Sequence, residues 1–393
     1  MAVSSSQFKT RPLYFIKYCY GLARRRPSAR SAIKISIIIL ALALALIPAP
    51  AALVERFYSN GLYPILQSIL TPVANLFPFA VVDALVALLF IGLPAWWIAR
   101  IVKAGRGRRK KMAAQLAFHT LVFTAVIFIG FQLLWGFNYE RESLAAKLDY
   151  DEERLTADAL MRLRRASIER LNAESAEAHY GQTIDEKIWL DHLHSSFDET
   201  VIELGNSRGI AAATPKTSLL NFYLTAAGIE GFINPFGHEV ILDSEIFAFE
   251  KPFLLAHEWA HLAGFADESE ASFVGLIACL RSDMAMLRYS ALLALHQYTP
   301  RITPAPPGEV KAATGMDAPP RLVPEVIADL KAISEREDRH RNATVSRVQW
   351  AVYDRFLKAN RVRAGVGSYS RFVRLVLGTR FEPDWIPVRR AGP

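Results

Sequence analysis

The chain has 393 residues, of which 52% are hydrophobic and only 21% are charged. This composition argues against an entirely water-soluble protein and predicts that part of the chain lies in a membrane. The formal net charge of +8 does not indicate nucleic-acid binding, because much of the basic excess flanks apolar runs, where it attracts membrane lipid. We therefore expect membrane lipid as a partner and no nucleic acid.

Three apolar runs near the N-terminus are each long enough to cross a hydrocarbon core as a helix. The first is residues 35–54, which carry no charge. The second is residues 77–99, with Asp83 near one end and a Trp-Trp pair at the other, where aromatic belts usually lie. The third is residues 113–137, which end in aromatic side chains. These runs predict three transmembrane helices.

Basic residues set the predicted orientation of the chain. They cluster before the first run and between the second and third runs, whereas the connection at residues 55–76 is nearly neutral. Because basic flanks remain in the cytoplasm, we predict a cytoplasmic segment at residues 1–31 and a three-helix transmembrane region at residues 32–137. An odd number of spans then places the remaining domain, residues 138–393, outside the cytoplasm.

Residues 138–393 are predicted to form a mostly helical domain with a small β element. The run at residues 239–242 is the predicted strand, and as an edge strand it would pair with the backbone of an extended peptide. Prolines between residues 299 and 324 predict a long loop or lid. Apolar residues at helical spacing predict helices at residues 151–179, 184–204, 324–339 and 344–360.

The segment His-Glu-Trp-Ala-His carries the clearest chemical signal in the chain. His257 and His261 are four residues apart, so on a helix they share one face and both imidazoles can reach one tetrahedral Zn²⁺ ion. Glu258 lies beside them, where a carboxylate can accept a proton from a metal-bound water that attacks a carbonyl. These residues predict the site of a zinc peptidase, with Glu258 as the catalytic base.

A third metal ligand is needed, and three acidic residues after the motif are candidates. Asp267 has a spacing that resembles the metzincin arrangement, but it also fits a helix N-cap, with Glu270 completing a capping box. Glu268 opens a Glu-Ser-Glu-Ala segment that resembles the Glu-x-x-Ala segment of gluzincin peptidases. We favour Glu268, because small residues on its helical face would permit close helix packing: Ala271, Ser272, Gly275 and Cys279.

Several separated motifs resemble a family of bacterial membrane proteins called domain of unknown function 3810. They are WGFNYERESLAAKL, GIEGFINPF, HEWAHLAGFADESEASFVGLIAC, RYSALLAL and GVGSYSRFVRLVLG. The resemblance implies a zinc metallopeptidase with a membrane anchor and a zincin-like domain, in which His257, His261 and Glu268 would hold the metal. Ser272 stands where the family usually has asparagine, which puts a polar role of that side chain in doubt.

These observations predict a mainly α-helical, multi-pass protein of the bacterial inner (cell) membrane that hydrolyses peptide bonds. Its expected substrate is a peptide or protein of the cell envelope. The alternative is a non-catalytic envelope scaffold or a metal-binding pseudo-peptidase, in which the motif helix would be core structure. Tyr289, Arg288 and His238 are candidates to stabilise an oxyanion, because zincins often recruit such a group from outside the motif helix.

Overall fold

The structure is a computed structural model, and contacts within it define two compact units. One unit comprises Met1–Pro48 and Arg100–Ile129, and the other comprises Ala49–Ala99 and Gly130–Pro393. Most of the predicted cytoplasmic segment and most of the predicted proline-rich loop lie outside the described residues. The structure describes residues 29–181, 184–299, 320–362, 364–365, 367 and 371–390.

The first predicted span is confirmed as a helix, with different ends. It forms α1 (Ala29–Leu46), which is long and apolar enough to cross a membrane. The helix ends before Pro48 and Pro50, because proline lacks the backbone N–H that a continuing helix requires.

The second and third predicted spans are also confirmed as membrane-length helices, Val81–Lys103 and Arg106–Leu134. The second comprises α3 (Val81–Ala87), a π-helical turn (Leu88–Gly92) and α4 (Leu93–Lys103), and the third contains α5 (Arg109–Leu134). On the second span the side chains of Phe90 and Ile91 are 70% and 69% exposed. Such exposure suits lipid, where apolar surface carries no hydration cost.

The connection between the first two spans is helical. A helical turn (Ala51–Leu53) and a π-helix (Val54–Leu62) lead into α2 (Tyr63–Asn75). The hydroxyl of Tyr63, whose side chain is fully buried, donates a hydrogen bond to the Leu262 carbonyl at 2.9 Å. Thr71 donates to the His238 carbonyl at 2.8 Å. This connection therefore packs against the C-terminal part of the chain.

The C-terminal part is mostly helical, as predicted, and its β structure consists of two small antiparallel sheets where one small β element was expected. Apart from short turns, its helices and strands run in the order α6 (Ala157–Gly181), α7 (Glu186–Glu203), α8 (Asn221–Ala227), β1 (Gly231–Asn234), β2 (Glu239–Leu242), α9 (Lys251–Leu262), α10 (Glu268–Leu280), α11 (Ala285–Tyr298), α12 (Pro324–His340), α13 (Ala343–Ala359), α14 (Phe372–Gly378), β3 (Phe381–Glu382) and β4 (Ile386–Pro387). Every residue of α10 is buried, and α10 contacts α7, α9, α11 and α14. It is the central helix of the core.

The predicted strand is β2, but it has no free edge. One edge of β2 pairs with β1, and the other hydrogen bonds to Lys216, whose N–H and carbonyl contact Val240 and Leu242 at 3.0 and 2.9 Å. The hypothesis that residues 239–242 pair with a substrate is therefore wrong. The outward backbone groups of Gly231 and Ile233 on β1 have no backbone partner among the described residues.

Strand β2 is also connected to the start of the second span. The buried carboxylate of Glu239 accepts hydrogen bonds from the N–H groups of Val81 and Val82 at 2.9 and 2.8 Å. These donors belong to the first turn of α3, where N–H groups lack helical partners. Lys216 donates to the same carboxylate at 3.0 Å. A charge from the β element therefore caps a membrane-length helix.

We predict that Tyr63→Phe destabilises the protein by about 1–3 kcal/mol, because the buried Leu262 carbonyl loses its hydroxyl donor. In detergent, the melting temperature should fall by about 2 °C or more. Tyr150→Phe is the matched control, since the described residues provide no hydrogen-bond partner for the Tyr150 hydroxyl. Equal melting temperatures for Tyr63→Phe and the wild type would show that the contact contributes nothing.

Candidate metal centre

His257, His261 and Glu268 converge on one point in the protein interior. The Nε2 atoms of His257 and His261 lie 3.2 and 3.3 Å from the Oε2 atom of Glu268. One candidate ligand atom from each residue lies within 4.8 Å of the others, and all three residues are buried. Two imidazole nitrogens and a carboxylate oxygen in this arrangement can hold a metal ion.

The local sequence explains why the two helices bring these residues together. Gly264 ends the motif helix α9 with a φ of +89°, a left-handed conformation that glycine adopts without strain. Asp267 then caps α10 by accepting a hydrogen bond from the Ser269 N–H at 2.9 Å. As a result α10 begins at Glu268, seven residues after His261.

Gly275 allows the two helices to approach closely. A Cβ atom at this position would lie 3.0 Å from the backbone nitrogen of His257 and 3.3 Å from the Ala256 carbonyl carbon. Because those atoms are backbone, they cannot move aside as a side chain could. The predicted close packing of the small face of α10 on the motif helix is therefore confirmed.

Hydrogen bonds at Nδ1 of each imidazole keep Nε2 available to bind a metal ion. The Nδ1 atom of His261 lies 2.7 Å from the Phe265 carbonyl oxygen, which can only accept, so Nδ1 carries the proton. The Nδ1 atom of His257 lies 3.2 Å from the Ser272 hydroxyl. The Ser272 side chain, whose polar role was in doubt from the sequence, therefore makes a polar contact.

The second oxygen of Glu268 is also engaged. The Tyr353 hydroxyl, from α13, donates a hydrogen bond to Oε1 of Glu268, while Oε2 faces the two histidines. The Trp135 indole donates to the His261 carbonyl at 2.9 Å. These contacts restrict the orientation of the ligands, which favours metal affinity.

The electrostatics of the cluster suit a cation. Burial raises the pKa of Glu268, but the charge of His261 and hydrogen bonds from both histidines outweigh it and hold this pKa well below its ordinary value. Burial lowers the pKa of His261, but Glu268 outweighs that effect and raises it to about 9. Burial lowers the pKa of His257. The proton on His261 thus supplies a positive charge that a metal ion can replace.

Glu258 differs from the three candidate ligands in its hydrogen bonding. Its side chain is buried, and its Oε2 atom has no hydrogen-bond partner in the described part of the protein. Burial raises its pKa to about 8. It faces a cavity of about 710 Å³ that His257, His261 and Glu268 also line. A buried polar atom without a partner costs free energy.

The other two candidates for the third ligand point elsewhere. Asp267 caps α10, as considered above, and also pairs with Arg371 at 2.6 Å. Glu270 does not complete the capping box; it accepts a hydrogen bond from the Leu144 N–H at 2.7 Å. Because Glu270 is two residues beyond Glu268, it lies on a different face of α10 and turns away from the histidines.

The three oxyanion candidates lie outside the cavity lining. The Tyr289 hydroxyl donates to Asp329 at 2.5 Å, and Arg288 pairs with Glu174 at 2.7 Å. His238 contacts the Leu134 carbonyl at 3.0 Å, and burial lowers its pKa to about 4. The cavity is lined instead by Tyr139, Tyr298 and Tyr353.

The model of a protein family described as protein of unknown function (DUF3810) matches residues 58–377. The match covers most of the chain, including the segment before the second span, the motif helix and α14. No match is found among curated proteins, and none among solved structures.

We predict that Gly275→Ala weakens metal binding about tenfold or more, because the added methyl group pushes α10 away from α9 and moves Glu268 from the histidines. Metal titration of the detergent-purified protein measures the effect. Gly130→Ala is the control, since no atom lies within 4 Å of a Cβ atom built there. Unchanged affinity in Gly275→Ala would contradict the role of this close approach.

We predict that Tyr353→Phe lowers metal affinity by about 10-fold, since Glu268 loses the hydrogen bond that orients its carboxylate. The same metal titration applies, and Tyr298→Phe removes another hydroxyl from the cavity without removing a ligand contact. An equal loss of affinity in both variants would assign the effect to general loosening of the cavity.

Proposed function

Because the chain belongs to the DUF3810 family of proteins of unknown function, we propose its activity from the site: a membrane-anchored zinc metallopeptidase. The observation that carries this proposal is the convergence of His257, His261 and Glu268 beside the unpartnered, buried carboxylate of Glu258. The ligand set supports zinc, which binds two histidines and one glutamate in catalytic sites and leaves one position open.

When bound, zinc acts as a Lewis acid that polarises a carbonyl group and makes water a stronger acid. His257, His261 and Glu268 would hold it through two nitrogens and one oxygen. Glu258 also lies on α9, but it takes no part in the contacts between imidazole and carboxylate atoms that a bound ion would replace. The positive charge of a bound ion would offset the effect of burial on the pKa of Glu258. Its side chain could then accept a proton from water and deliver it to the leaving amine.

Strand β1 supports a peptide substrate. The free backbone groups of Gly231 and Ile233 can pair with an extended chain, and both residues line the cavity. Gly231 lies beside the proposed base, since a Cβ atom there would be 3.0 Å from Oε1 of Glu258. A peptide paired along this edge would thus pass close to Glu258, and the missing side chain leaves room for it.

We further propose that the catalytic domain lies outside the cytoplasm, in the inner membrane of a bacterium. The connection between spans one and two contacts the chain beyond span three, as in the bond from Tyr63 to Leu262. Both segments therefore lie on the same face of the membrane, which agrees with three spans. The basic residues around the spans then favour the non-cytoplasmic face for this domain.

A non-catalytic scaffold is the competing proposal. A scaffold gains nothing from an unpartnered buried carboxylate, which is destabilising, whereas a hydrolase needs one. A metal-binding pseudo-peptidase would keep the ligands, but it would have no reason to retain Glu258. The burial of Glu258 in the cavity therefore favours the hydrolase.

We predict about one zinc ion per chain in the detergent-purified protein, lost in His257→Ala and retained in Glu258→Gln. Elemental analysis of the three proteins side by side tests this. Glu258→Gln should also reduce peptide hydrolysis by at least about 100-fold, because it removes the proton acceptor. A wild type that binds no zinc after reconstitution would refute the peptidase, and equal hydrolysis by Glu258→Gln would refute the role of Glu258.

A further inference from the structure

The catalytic cavity reaches residues of the membrane-length helices. Val82 and Val86, in the first two turns of the second span, line the same cavity as His257 and Glu258. Phe131, near the end of the third span, lines it as well. The wall of the cavity on this side is therefore made of side chains from segments long and apolar enough to lie in lipid.

Helices α8 and α13 form another wall of the cavity and are hydrogen bonded to each other. The Tyr223 hydroxyl of α8 donates to the Gln349 side chain of α13 at 2.5 Å. The Asn342 N–H, at the start of α13, donates to the Ala226 carbonyl at 2.9 Å. Tyr223 and Gln349 both line the cavity.

Both helices of this wall are also attached near the ends of the spans. At the start of α8, the Ser218 hydroxyl and the Leu219 N–H donate to the Asp83 carboxylate at 2.5 and 2.8 Å. Asp83 belongs to the first turn of the second span. On α13, the Phe356 ring packs edge-on against Phe131, with 6.2 Å between ring centroids. The wall therefore stands at the level where the spans leave the membrane.

Apolar side chains are exposed on the outer surface of this wall, although α13 also exposes Arg347, Arg355 and Lys358. Leu219 and Phe222 are 83% and 74% exposed, and Val348 and Val352 are 59% and 55% exposed. These four side chains lie on α8, on α13 or directly before α8. Apolar side chains exposed together at the ends of transmembrane helices indicate contact with lipid rather than with water.

The buried part of the cavity offers little to a charged substrate, whereas the charged side chains of Glu337 and Arg341 line it where it is exposed. Its lining is largely apolar and aromatic, and its buried cation, Arg336, pairs with Glu230 at 2.7 Å and with Glu250 at 2.5 Å. A guanidinium bound by two carboxylates has no free charge for a substrate side chain. Apolar residues on each side of the scissile bond would fit such a lining.

We propose that the cavity opens sideways into the lipid between the second span and the α8–α13 wall, and that the substrate is a membrane-anchored polypeptide cut beside its apolar anchor. This inference rests on the proposed peptidase function. One water molecule adds to the carbonyl carbon, the C–N bond breaks, and the amine takes the proton. One product therefore keeps the anchor and stays in the membrane, while the other is released.

Nitroxide labels test contact with lipid independently of activity. In a Cys19→Ser, Cys279→Ala background, Phe222→Cys and Val348→Cys are labelled in lipid vesicles and exposed to oxygen or to a water-soluble nickel chelate. We expect oxygen to relax both labels more strongly than the chelate does, and the reverse for Glu169→Cys, on an exposed face of α6. Stronger relaxation by the chelate at Phe222→Cys and Val348→Cys would overturn the proposal.

Three quenched fluorogenic peptides with the same apolar scissile sequence test the substrate class. One carries the sequence directly beside a 20-residue apolar anchor, about one membrane span. One carries it beyond a flexible linker of about 30 residues, and one has no anchor. With protein and anchored peptides in the same vesicles, we expect the directly anchored peptide to be cleaved at least tenfold faster than the other two.

The linker peptide is confined to the same membrane, so its slower cleavage cannot result from local concentration. Equal cleavage of all three peptides would overturn lateral access and leave the peptidase standing, whereas a wild type without zinc would overturn both.

Val86→Arg should slow cleavage of the directly anchored peptide about tenfold with zinc content unchanged. Ile98→Arg, on the same span but outside the cavity lining, is the control, and equal effects of the two substitutions would also overturn the proposal.

Discussion

The arrangement of the site depends on one contact, the approach of α10 to α9 at Gly275. With no side chain at that position, α10 lies against the backbone of His257. This distance brings Glu268, two turns earlier on α10, within 3.3 Å of both imidazoles. A larger residue would separate the helices and leave a buried glutamate facing two buried histidines without contact, an arrangement that is costly in a low-dielectric interior.

Hydrogen bonds around the cluster offset most of that free-energy cost. The polar atoms that face away from the candidate metal position form hydrogen bonds with the Phe265 carbonyl, the Ser272 hydroxyl and the Tyr353 hydroxyl. Glu258 is the exception, since one of its oxygens has no partner. Proteins retain such costs mainly at functional sites, which supports the catalytic role proposed for Glu258.

Local features of this protein were predictable, because local spacing determines them. Apolar length predicted the three spans, and the four-residue spacing predicted that His257 and His261 share a face. Small residues on one side of α10 distinguished Glu268 from its acidic neighbours. Tyr353 could not have been found in this way, since it lies 85 residues from Glu268 and only the tertiary fold brings them together.

Two interpretations depended on information that a single sequence does not carry. The strand at residues 239–242 was predicted correctly, but its edges depend on where Lys216 and β1 lie in space. For the connection between the first two spans, the nearly neutral charge predicts only the side of the membrane on which it lies. Its role follows from buried polar contacts such as those of Gln67 with Ala211, at 2.7 and 2.9 Å, which link residues 144 positions apart.

That connection also has a consequence for biosynthesis. Tyr63 leaves the ribosome 199 residues before its partner Leu262. At a translation rate of about 5–20 residues per second, the interval is about 10–40 s. During that time Val54–Asn75 lacks the surface against which it packs in the folded protein, and its apolar face is open to aggregation. We therefore expect the bilayer surface or a chaperone to cover this apolar face until the motif helix has been synthesised.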